Sequence, residues 1–344
     1  MSGLVLLWWI ALAIAGAALL IMIGLILARL VLGATGRARE TERRRLIPIL
    51  LGSRPPTRLG RSARGDLLAE LSIELIQLVR GSDRERFVDA ATRMGVPERL
   101  RHQLGSGSTR VRLSAAEALA EFPDDATIDR LTAALSDSNP DVRLSAALSL
   151  ASIGKAPPAR ALVDLLGIGT TENSLLVVSL FRDIAPTKPE EIRALILDAT
   201  VPSGAKAAAI EALSASGDYA LVPLVTTLAV TCDAADEALP RYLAALGAFG
   251  HPAAEPAVRR GLGSPDWEVR AAAAEAAGRI GLIRLGAQLR ERLGDRTWWV
   301  RFRSGEALAR MGEEGASYLR GAAADPAEPA RTAAALTLAE RGLS

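Results

Sequence analysis

Residues 136–150 read SDSNPDVRLSAALSL, and this stretch decides the fold because close copies of it recur along the chain. Its second half, VRLSAALSL at 142–150, aligns with VRLSAAEAL at 111–119, VRAAAAEAA at 269–277 and VRFRSGEAL at 300–308. The arginine of each copy falls at position 112, 143, 270, 301 or 331. Three degenerate copies near Ser174, Lys206 and Leu239 fill the long interval, so eight copies are predicted over residues 105–344.

Each copy has the pattern of two helices joined by a polar turn. Apolar residues recur at helical spacing, as at Val142 and Leu150, and a shorter apolar helix is predicted over 128–135. Asn139-Pro140 ends one helix and begins the next. An aspartate or serine stands six residues before the repeat arginine, at Asp137, Asp295, Asp325, Ser106 and Ser264. We predict that these side chains accept hydrogen bonds from free N–H groups at the helix start, and that the aspartates pair with an arginine of their own or the next copy.

These motifs resemble HEAT repeats of the short bacterial kind found in phycobiliprotein-lyase-like proteins. The matching residues are Asp137, Pro140, Val142, Arg143, Ala146, Ala147 and Leu150. The resemblance implies an all-α fold, an α-solenoid of about eight helix pairs over residues 105–344, with the Val-Arg helices lining a concave surface that binds another protein. Residues 66–104 have a helical but non-repetitive pattern and are predicted to form an N-terminal cap on the first repeat.

A long apolar stretch lies near the start of the chain. Leu4–Ala28 is 25 consecutive residues without a charge, and as a helix it is long enough to cross a hydrocarbon core of about 30 Å. It is longer than the apolar region of a signal peptide, and no Lys or Arg precedes it. We therefore predict a transmembrane helix over residues 4–28.

Arginines follow this stretch and none precedes it, which predicts an external N-terminus and a cytoplasmic solenoid. The whole chain has 38 Arg and three Lys, a bias typical of a GC-rich bacterial genome, so the predicted location is a bacterial inner membrane. Residues 29–65 are predicted to be a basic linker that binds anionic lipid headgroups, at about 1 kcal/mol per basic residue near the surface. The membrane-surface residues are Arg37, Arg39, Arg43, Arg44 and Arg45. The run LIPILL at 46–51 is predicted to dip into the interface or to grip a partner.

Composition argues against several other functions. Residues 66–344 carry 31 basic and 37 acidic groups, a net charge of −6, which does not suit a phosphate-binding surface, so no nucleic-acid partner is expected. One cysteine, Cys232, and two histidines, His102 and His251, give no disulfide framework and no metal site. The sequence has no phosphate-binding glycine loop, HExxH or GxSxG motif. The sequence therefore predicts no enzyme activity and no cofactor.

Two sets of residues are candidates for protein binding. Aromatic residues gather near the C-terminal end, where Trp267 and Trp298 both stand two residues before the repeat valine, and Trp299 and Phe302 lie beside them. Tryptophan is common at binding hot spots, although packing between repeats explains the cluster equally well. A second set is acidic in four copies and would form a stripe on a regular stack: Glu117, Glu211, Glu275 and Glu306.

The sequence therefore predicts a membrane-tethered, non-catalytic scaffold that binds and positions a partner at the cytoplasmic face. The architecture is similar to bacterial membrane-anchored HEAT proteins that accompany a polytopic family 2 glycosyltransferase making an exported polysaccharide, which makes such a membrane protein the favoured partner. Two alternatives stay open: a scaffold for another membrane complex, in secretion or signalling, and a bilin-lyase-like HEAT enzyme.

Overall fold

A computed structural model describes residues 41–50, 63–76, 78–79, 81–171, 174–214, 218–326 and 328–343. The predicted transmembrane helix over Leu4–Ala28 and the predicted membrane-surface residues Arg37 and Arg39 lie outside these residues. Among the described helices, none combines the length and the apolar character needed to cross a membrane. The chain divides after Arg130 into an N-terminal unit and a C-terminal unit.

The described elements are helices joined by short turns. They are α1 (41–50), α2 (Ala63–Ile76), α3 (Ser82–Arg93), α4 (Val96–Gln103), α5 (Thr109–Leu119), α6 (Asp125–Ala134), α7 (Pro140–Ser152), α8 (Ala159–Leu166), α9 (Leu175–Ile184), α10 (Pro189–Leu197), α11 (Ser203–Ser214), α12 (Val222–Thr231), α13 (Leu239–Phe249), α14 (Glu255–Leu262), α15 (Trp267–Ile280), α16 (Gly286–Arg292), α17 (Trp298–Arg310), α18 (Gly312–Ala323) and α19 (Glu328–Arg341). Short 3-10 turns precede α12, α14 and α16. This all-helical arrangement agrees with the predicted fold class.

In the N-terminal unit, α2 contacts α3, α4 and α5 around a core that contains Phe87 and Leu100. Part of the predicted linker is ordered in this unit, because residues 41–50 form α1. Leu46 and Leu50 of that helix are fully buried, and Arg43 Nη2 lies 2.6 Å from Glu74 Oε2 on α2. The described part of the LIPILL run, residues 46–50, therefore departs from the predicted interfacial segment: Leu46 and Leu50 lie about one helical turn apart and pack into protein.

In the C-terminal unit, the Val-Arg helix of each pair is called the second helix. The second helices are α7, α9, α11, α13, α15, α17 and α19, and each contacts the next one in that order. The residue at the repeat-valine position is buried in every one of them: Val142, Val177, Ala205, Ala238, Val269, Val300 and Ala330. Equivalent residues therefore lie side by side, as in a parallel stack, which is the arrangement that the repeat pattern predicted.

Glycine allows the closest approach between second helices. A Cβ added to Gly278 of α15 would lie 2.5 Å from the Cα of Ala307 in α17, well inside van der Waals contact. Gly247 of α13 has the same relationship to Ala276 of α15, with 3.0 Å from the added Cβ to the Cα. The two positions are about one repeat apart, so the missing side chains set the spacing of the stack.

The turns between the two helices of a pair are held by the repeat arginines. The arginine Nη1 donates to the carbonyl oxygen six residues earlier, at 2.9 Å for Arg112 and Ser106, 3.0 Å for Arg143 and Asp137, 2.9 Å for Arg270 and Ser264, and 2.8 Å for Arg301 and Asp295. Each guanidinium thus reaches back from the second helix and satisfies turn carbonyls that the helices leave unpaired.

The side chains six residues before the arginines accept backbone N–H groups. These N–H groups belong to the N-cap residues, and not to the first turn of the helix as predicted. Asp137 Oδ1 accepts the N–H of Asn139 at 2.8 Å, and Asp295 Oδ1 accepts that of Thr297 at 2.9 Å, as in Asx turns. The helix cap itself is the residue four before the arginine. At α7 that residue is Asn139, whose Oδ1 accepts the N–H of Asp141 at 2.9 Å.

Candidate protein-binding surface

The predicted aromatic residues form an exposed cluster at the start of α17. Trp298 and Trp299 are 50% and 48% exposed, and their ring centroids are 4.7 Å apart in an edge-on arrangement. Phe302, one turn later, stacks on Trp298 with centroids 5.1 Å apart and an interplanar angle of 12°. Trp267 is 40% exposed at the first position of α15, one repeat earlier. The three tryptophans therefore present surface rather than filling the core.

A groove runs from this cluster to the next second helix. It encloses about 320 Å³ between α17 and α19. Trp298 and Phe302 form one wall, and Pro329 and the half-exposed Leu336 form the other. Glu328 lies at the same register on α19 as Trp298 does on α17, and the groove lining also includes the charged side chains Arg301 and Glu340.

Further exposed hydrophobic side chains lie at the same end of the helix pairs. Leu175 and Leu176 begin α9 just before the buried Val177, as Trp298 and Trp299 precede Val300, and Leu175 is 80% exposed. The first helices α8, α10 and α12 end at this side, and each exposes one large hydrophobic residue in its last turn. We call the whole set the apolar rim, which comprises Leu165, Leu175, Leu176, Leu197, Val230, Trp267, Trp298 and Trp299.

The apolar rim accounts for most exposed large hydrophobic side chains in the described part of the C-terminal unit, where Tyr219 and Leu336 are the others. The leucines and Val230 were missed by sequence reasoning. The signal was present, because two adjacent leucines stand where a polar turn meets the second helix. Such a concentration on one edge is unusual for a surface that faces only water.

Two glutamates of the predicted acidic stripe are paired with arginines of the next second helix. The Glu211 carboxylate accepts hydrogen bonds from Arg241 Nε at 2.6 Å and from Arg241 Nη2 at 3.0 Å, and Arg241 belongs to the next second helix. Glu306 is likewise paired with Arg341 on α19. The Arg341 hydrogen bonds lower the pKa of the Glu306 carboxyl, although burial opposes them.

The other two stripe glutamates differ from each other. Glu275 lies 3.4 Å from Arg279 of its own helix and 3.5 Å from Arg303 of the next one. Glu117, in the N-terminal unit, is exposed. Three of the four predicted residues therefore form ion pairs between adjacent repeats.

One ion pair between repeats is buried. Arg270 of α15 donates to Asp295 in the turn before α17, from Nε to Oδ2 at 2.7 Å and from Nη2 to Oδ1 at 2.9 Å. Burial would raise the pKa of the Asp295 carboxyl, but hydrogen bonds from Arg270 and from the Thr297 N–H outweigh it, so the pKa is lowered. The predicted pairing of this aspartate with an arginine of another copy is confirmed.

The residues considered for chemistry lie apart. Cys232 is half-buried after α12, and burial raises the pKa of its thiol. His251 is exposed in another turn, where its Nδ1 accepts the N–H of Ala253 at 3.2 Å. His102 lines a cavity of about 760 Å³ in the N-terminal unit, together with Glu70 and Arg110. Within the described residues, no group of three or more His, Cys, Asp or Glu side chains is placed to hold a metal ion.

The stacked pairs, with a buried residue at each repeat-valine position, define an α-helical repeat protein with an exposed apolar edge. Residues 97–174 and 231–309 match the family model for HEAT repeats. The chain therefore contains HEAT repeats, and the predicted repeat family is confirmed. The unmatched interval between these ranges includes four residues of the apolar rim, namely Leu175, Leu176, Leu197 and Val230.

Similar proteins include one from a phycocyanin operon. An uncharacterized phycocyanin operon protein Z of Pseudanabaena tenuis is 36% identical over 123 residues, which cover 32% of this chain and 59% of the relative. The chain thus spans about three fifths of the length of this curated relative.

Two similar solved structures have low sequence identity to this chain. The karyopherin Kap121p bound to RanGTP is 15% identical, with a TM-score of 0.45, over 86% of this chain and 38% of that one. The complex of CpcE and CpcF of phycocyanin lyase from Nostoc is 21% identical, with a TM-score of 0.31, over 71% of this chain and 87% of that one.

Proposed function

We propose that this protein is a non-catalytic scaffold that binds a partner protein along the apolar rim. The observation that carries the proposal is the exposure of Trp267, Trp298 and Trp299 at one edge, in register with the exposed leucines of α9. The few residues that contribute most of the binding energy at protein interfaces are enriched in tryptophan. The groove between α17 and α19 offers a concave seat beside these rings.

The proposed scaffold is held at the cytoplasmic face of a bacterial inner membrane. This part of the proposal rests on the uncharged stretch Leu4–Ala28 and on the arginines that follow it. Tethering confines the repeats near the bilayer, where the effective concentration of a membrane partner reaches about millimolar for a short linker. A rim contact of modest intrinsic affinity then suffices.

The proposed partner is a polytopic family 2 glycosyltransferase of exopolysaccharide synthesis. Its basis is the resemblance of the whole architecture to membrane-anchored HEAT proteins that accompany such enzymes. A partner from another membrane complex, in secretion or signalling, would also need an exposed binding surface such as the rim. The proposal that the rim binds a partner therefore does not depend on which membrane protein that partner is.

Two measurements test this function. The full-length protein and a Trp298→Ala/Trp299→Ala variant are each co-expressed with the glycosyltransferase encoded nearest to it, and the detergent-solubilised complexes are purified by a tag on the scaffold. We expect the enzyme to co-purify with the unaltered protein and to be lost with the variant, while both proteins melt at similar temperatures. Equal recovery of the enzyme with both proteins would exclude the aromatic cluster as the binding site.

The second measurement concerns topology. A reporter that is active only in the cytoplasm, fused to the C-terminus, should be active in cells, and the fusion should sediment with the membrane after carbonate washing. Reporter activity outside the cytoplasm would overturn the proposed orientation.

A bilin-handling role is the second candidate, favoured by the 36% identity to the phycocyanin operon protein Z. The test is incubation of the purified protein with phycocyanobilin and an unmodified phycocyanin subunit, followed by zinc-induced fluorescence of the denatured subunit. A covalent adduct formed faster than in the protein-free control would support this candidate. A rate equal to the control would leave the scaffold as the better proposal.

A further inference from the structure

The chemistry of the apolar rim is clearest at two positions of each second helix. We call the two residues before the repeat-valine position the leading positions, because they begin the helix or immediately precede it. In the C-terminal unit the leading pairs are Pro140-Asp141, Leu175-Leu176, Ser203-Gly204, Asp236-Glu237, Trp267-Glu268, Trp298-Trp299 and Glu328-Pro329. Five of these residues are large and apolar and five are acidic. No leading position is basic, in a chain with 41 Lys and Arg residues.

The acidic leading residues face solvent. Glu237, Glu268 and Glu328 are exposed, and the described residues place no ion-pair partner beside any of them. Asp141 is also exposed. These carboxylates lie among the hydrophobic side chains of the rim, so the edge combines apolar surface with negative charge.

Two repeat arginines close to the rim donate to groups inside the repeats. Arg270 donates to two turn carbonyls and to Asp295, and Arg301 donates to the carbonyls of Asp295 and Arg296. Other bases remain at the edge, because Arg296 is exposed and the Arg303 guanidinium lies 6.0 Å from the Trp299 ring centroid. The leading positions themselves carry five acidic and no basic side chains, and this local charge favours a cationic partner.

We infer that the occupant of the apolar rim is a segment of a protein that combines large hydrophobic residues with Lys and Arg. This inference rests on the proposed scaffold function and names the chemistry of its partner. An anionic lipid surface has the wrong charge for the exposed glutamates. The cytoplasmic loops of polytopic membrane proteins have the right one, because they carry an excess of Lys and Arg next to interfacial aromatic and apolar residues.

The rim also sets the length of the occupant. Leu175 on α9 and Trp298 on α17 are four second helices apart in the stack. Packed helices lie about 9 Å apart, so the two ends of the rim are separated by roughly 36 Å. A helix of about 24 residues, at 1.5 Å per residue, covers this distance. A shorter segment reaches the leucines or the tryptophans but not both.

The test uses labelled synthetic peptides and the full-length protein in detergent micelles. The probe is an amphipathic 24-residue helix with Leu and Phe on one face and Lys on the other. A second peptide has Glu in place of Lys, and a third has half the length. We expect the basic peptide to bind at least ten times more tightly than the acidic one, with an affinity that falls as salt rises, and the half-length peptide to bind at least ten times more weakly.

Charge-reversal variants show whether peptide binding depends on the charge of the rim or on the net charge of the protein. The variant Glu237→Lys/Glu268→Lys/Glu328→Lys changes three exposed leading residues. Its matched control, Asp183→Lys/Glu313→Lys/Glu314→Lys, changes three exposed acids at the opposite end of the helix pairs, none of which lines the groove. We expect the first variant to bind the basic peptide at least ten times more weakly and the control to stay within about twofold. Equal weakening by both variants would overturn the inference.

The outcome is distinguishable from failure of the scaffold proposal. If Trp298→Ala/Trp299→Ala abolishes recovery of the membrane partner but reversal of the glutamates leaves it intact, the rim binds a partner of other chemistry, and only the inference falls. If vesicles of anionic phospholipid bind the full-length protein as tightly as the basic peptide does, and Trp298→Ala/Trp299→Ala abolishes that binding, the occupant is a lipid surface and the inference is wrong.

Discussion

Arg270 and Asp295 form a bidentate ion pair that joins two successive repeats, and both side chains are about 95% buried. The same aspartate accepts the N–H of Thr297, and the same arginine holds the turn before its own helix. One ion pair therefore connects two turns that carry rim tryptophans. Loss of either partner leaves an uncompensated charge in a site with little water.

The first prediction follows from this pair. Asp295→Asn should destabilise the protein at pH 7 by about 3 kcal/mol, because the buried Arg270 loses its counter-ion. The folded-state pKa of Asp295 lies below its ordinary value of 3.8, so its stabilising effect is present at neutral pH and is lost as the pH falls below about 4. Urea unfolding at several pH values measures this. A difference between the two proteins that stays constant down to pH 3 would contradict the assignment.

The second prediction concerns the spacing of second helices. Gly278→Ala should destabilise the protein by about 2 kcal/mol, although alanine favours helix, because its Cβ would meet the Cα of Ala307. Gly263→Ala is the matched control, since the nearest atom to its added Cβ is the Arg260 carbonyl oxygen at 3.6 Å. Thermal unfolding followed by circular dichroism compares them. Equal destabilisation by Gly263→Ala would show that the loss at Gly278 does not come from contact with Ala307.

The third prediction separates surface from core at the start of α9. Leu175→Asn/Leu176→Asn should change the free energy of unfolding by less than about 0.5 kcal/mol per residue, because both side chains are exposed. Val177→Ala, at the next position, should cost about 2 kcal/mol, because Val177 is 1% exposed. Denaturant titrations measure both. Comparable losses would mean that the leucines are packing residues.

The fourth prediction tests whether Glu211 contributes to stability through its ion pair with Arg241. In a double-mutant cycle, Glu211→Gln and Arg241→Gln should show a coupling energy of about 0.5–1 kcal/mol, the size expected for a partly exposed ion pair. Glu211→Gln should leave recovery of the membrane partner unchanged. Loss of the partner with stability intact would return this glutamate to the binding surface.

Much of the repeat architecture was predictable because it depends on periodic burial. Val142, Val269 and Val300 recur with arginine beside them, and burial of these valines repeats with them. Degenerate copies are harder to read, since Ala205 and Ala238 occupy the same buried position without the arginine. There the pattern survives only as helix length and small apolar residues.

The binding surface was predictable only in part. Trp298 and Trp299 were conspicuous by type, whereas Leu175 and Leu176 do not stand out until their register against the buried Val177 is known. The ion pair of Glu211 was not predictable, because the sequence does not reveal which arginine, about one repeat away, reaches back to it. Contacts between repeats depend on the rise and turn of the stack, and a one-dimensional pattern does not contain them.

The repeat arginines that hold the turns have a consequence for affinity. Because Arg301 fixes the backbone just before Trp298, the indole is presented from a rigid support and little freedom is lost when a partner arrives. Several leading side chains, such as Leu175 and Trp298, are exposed, whereas Asp236 Oδ1 accepts the Ala238 N–H at 2.9 Å. New partners are therefore reachable through substitutions at the exposed leading positions, with the supporting framework left unaltered.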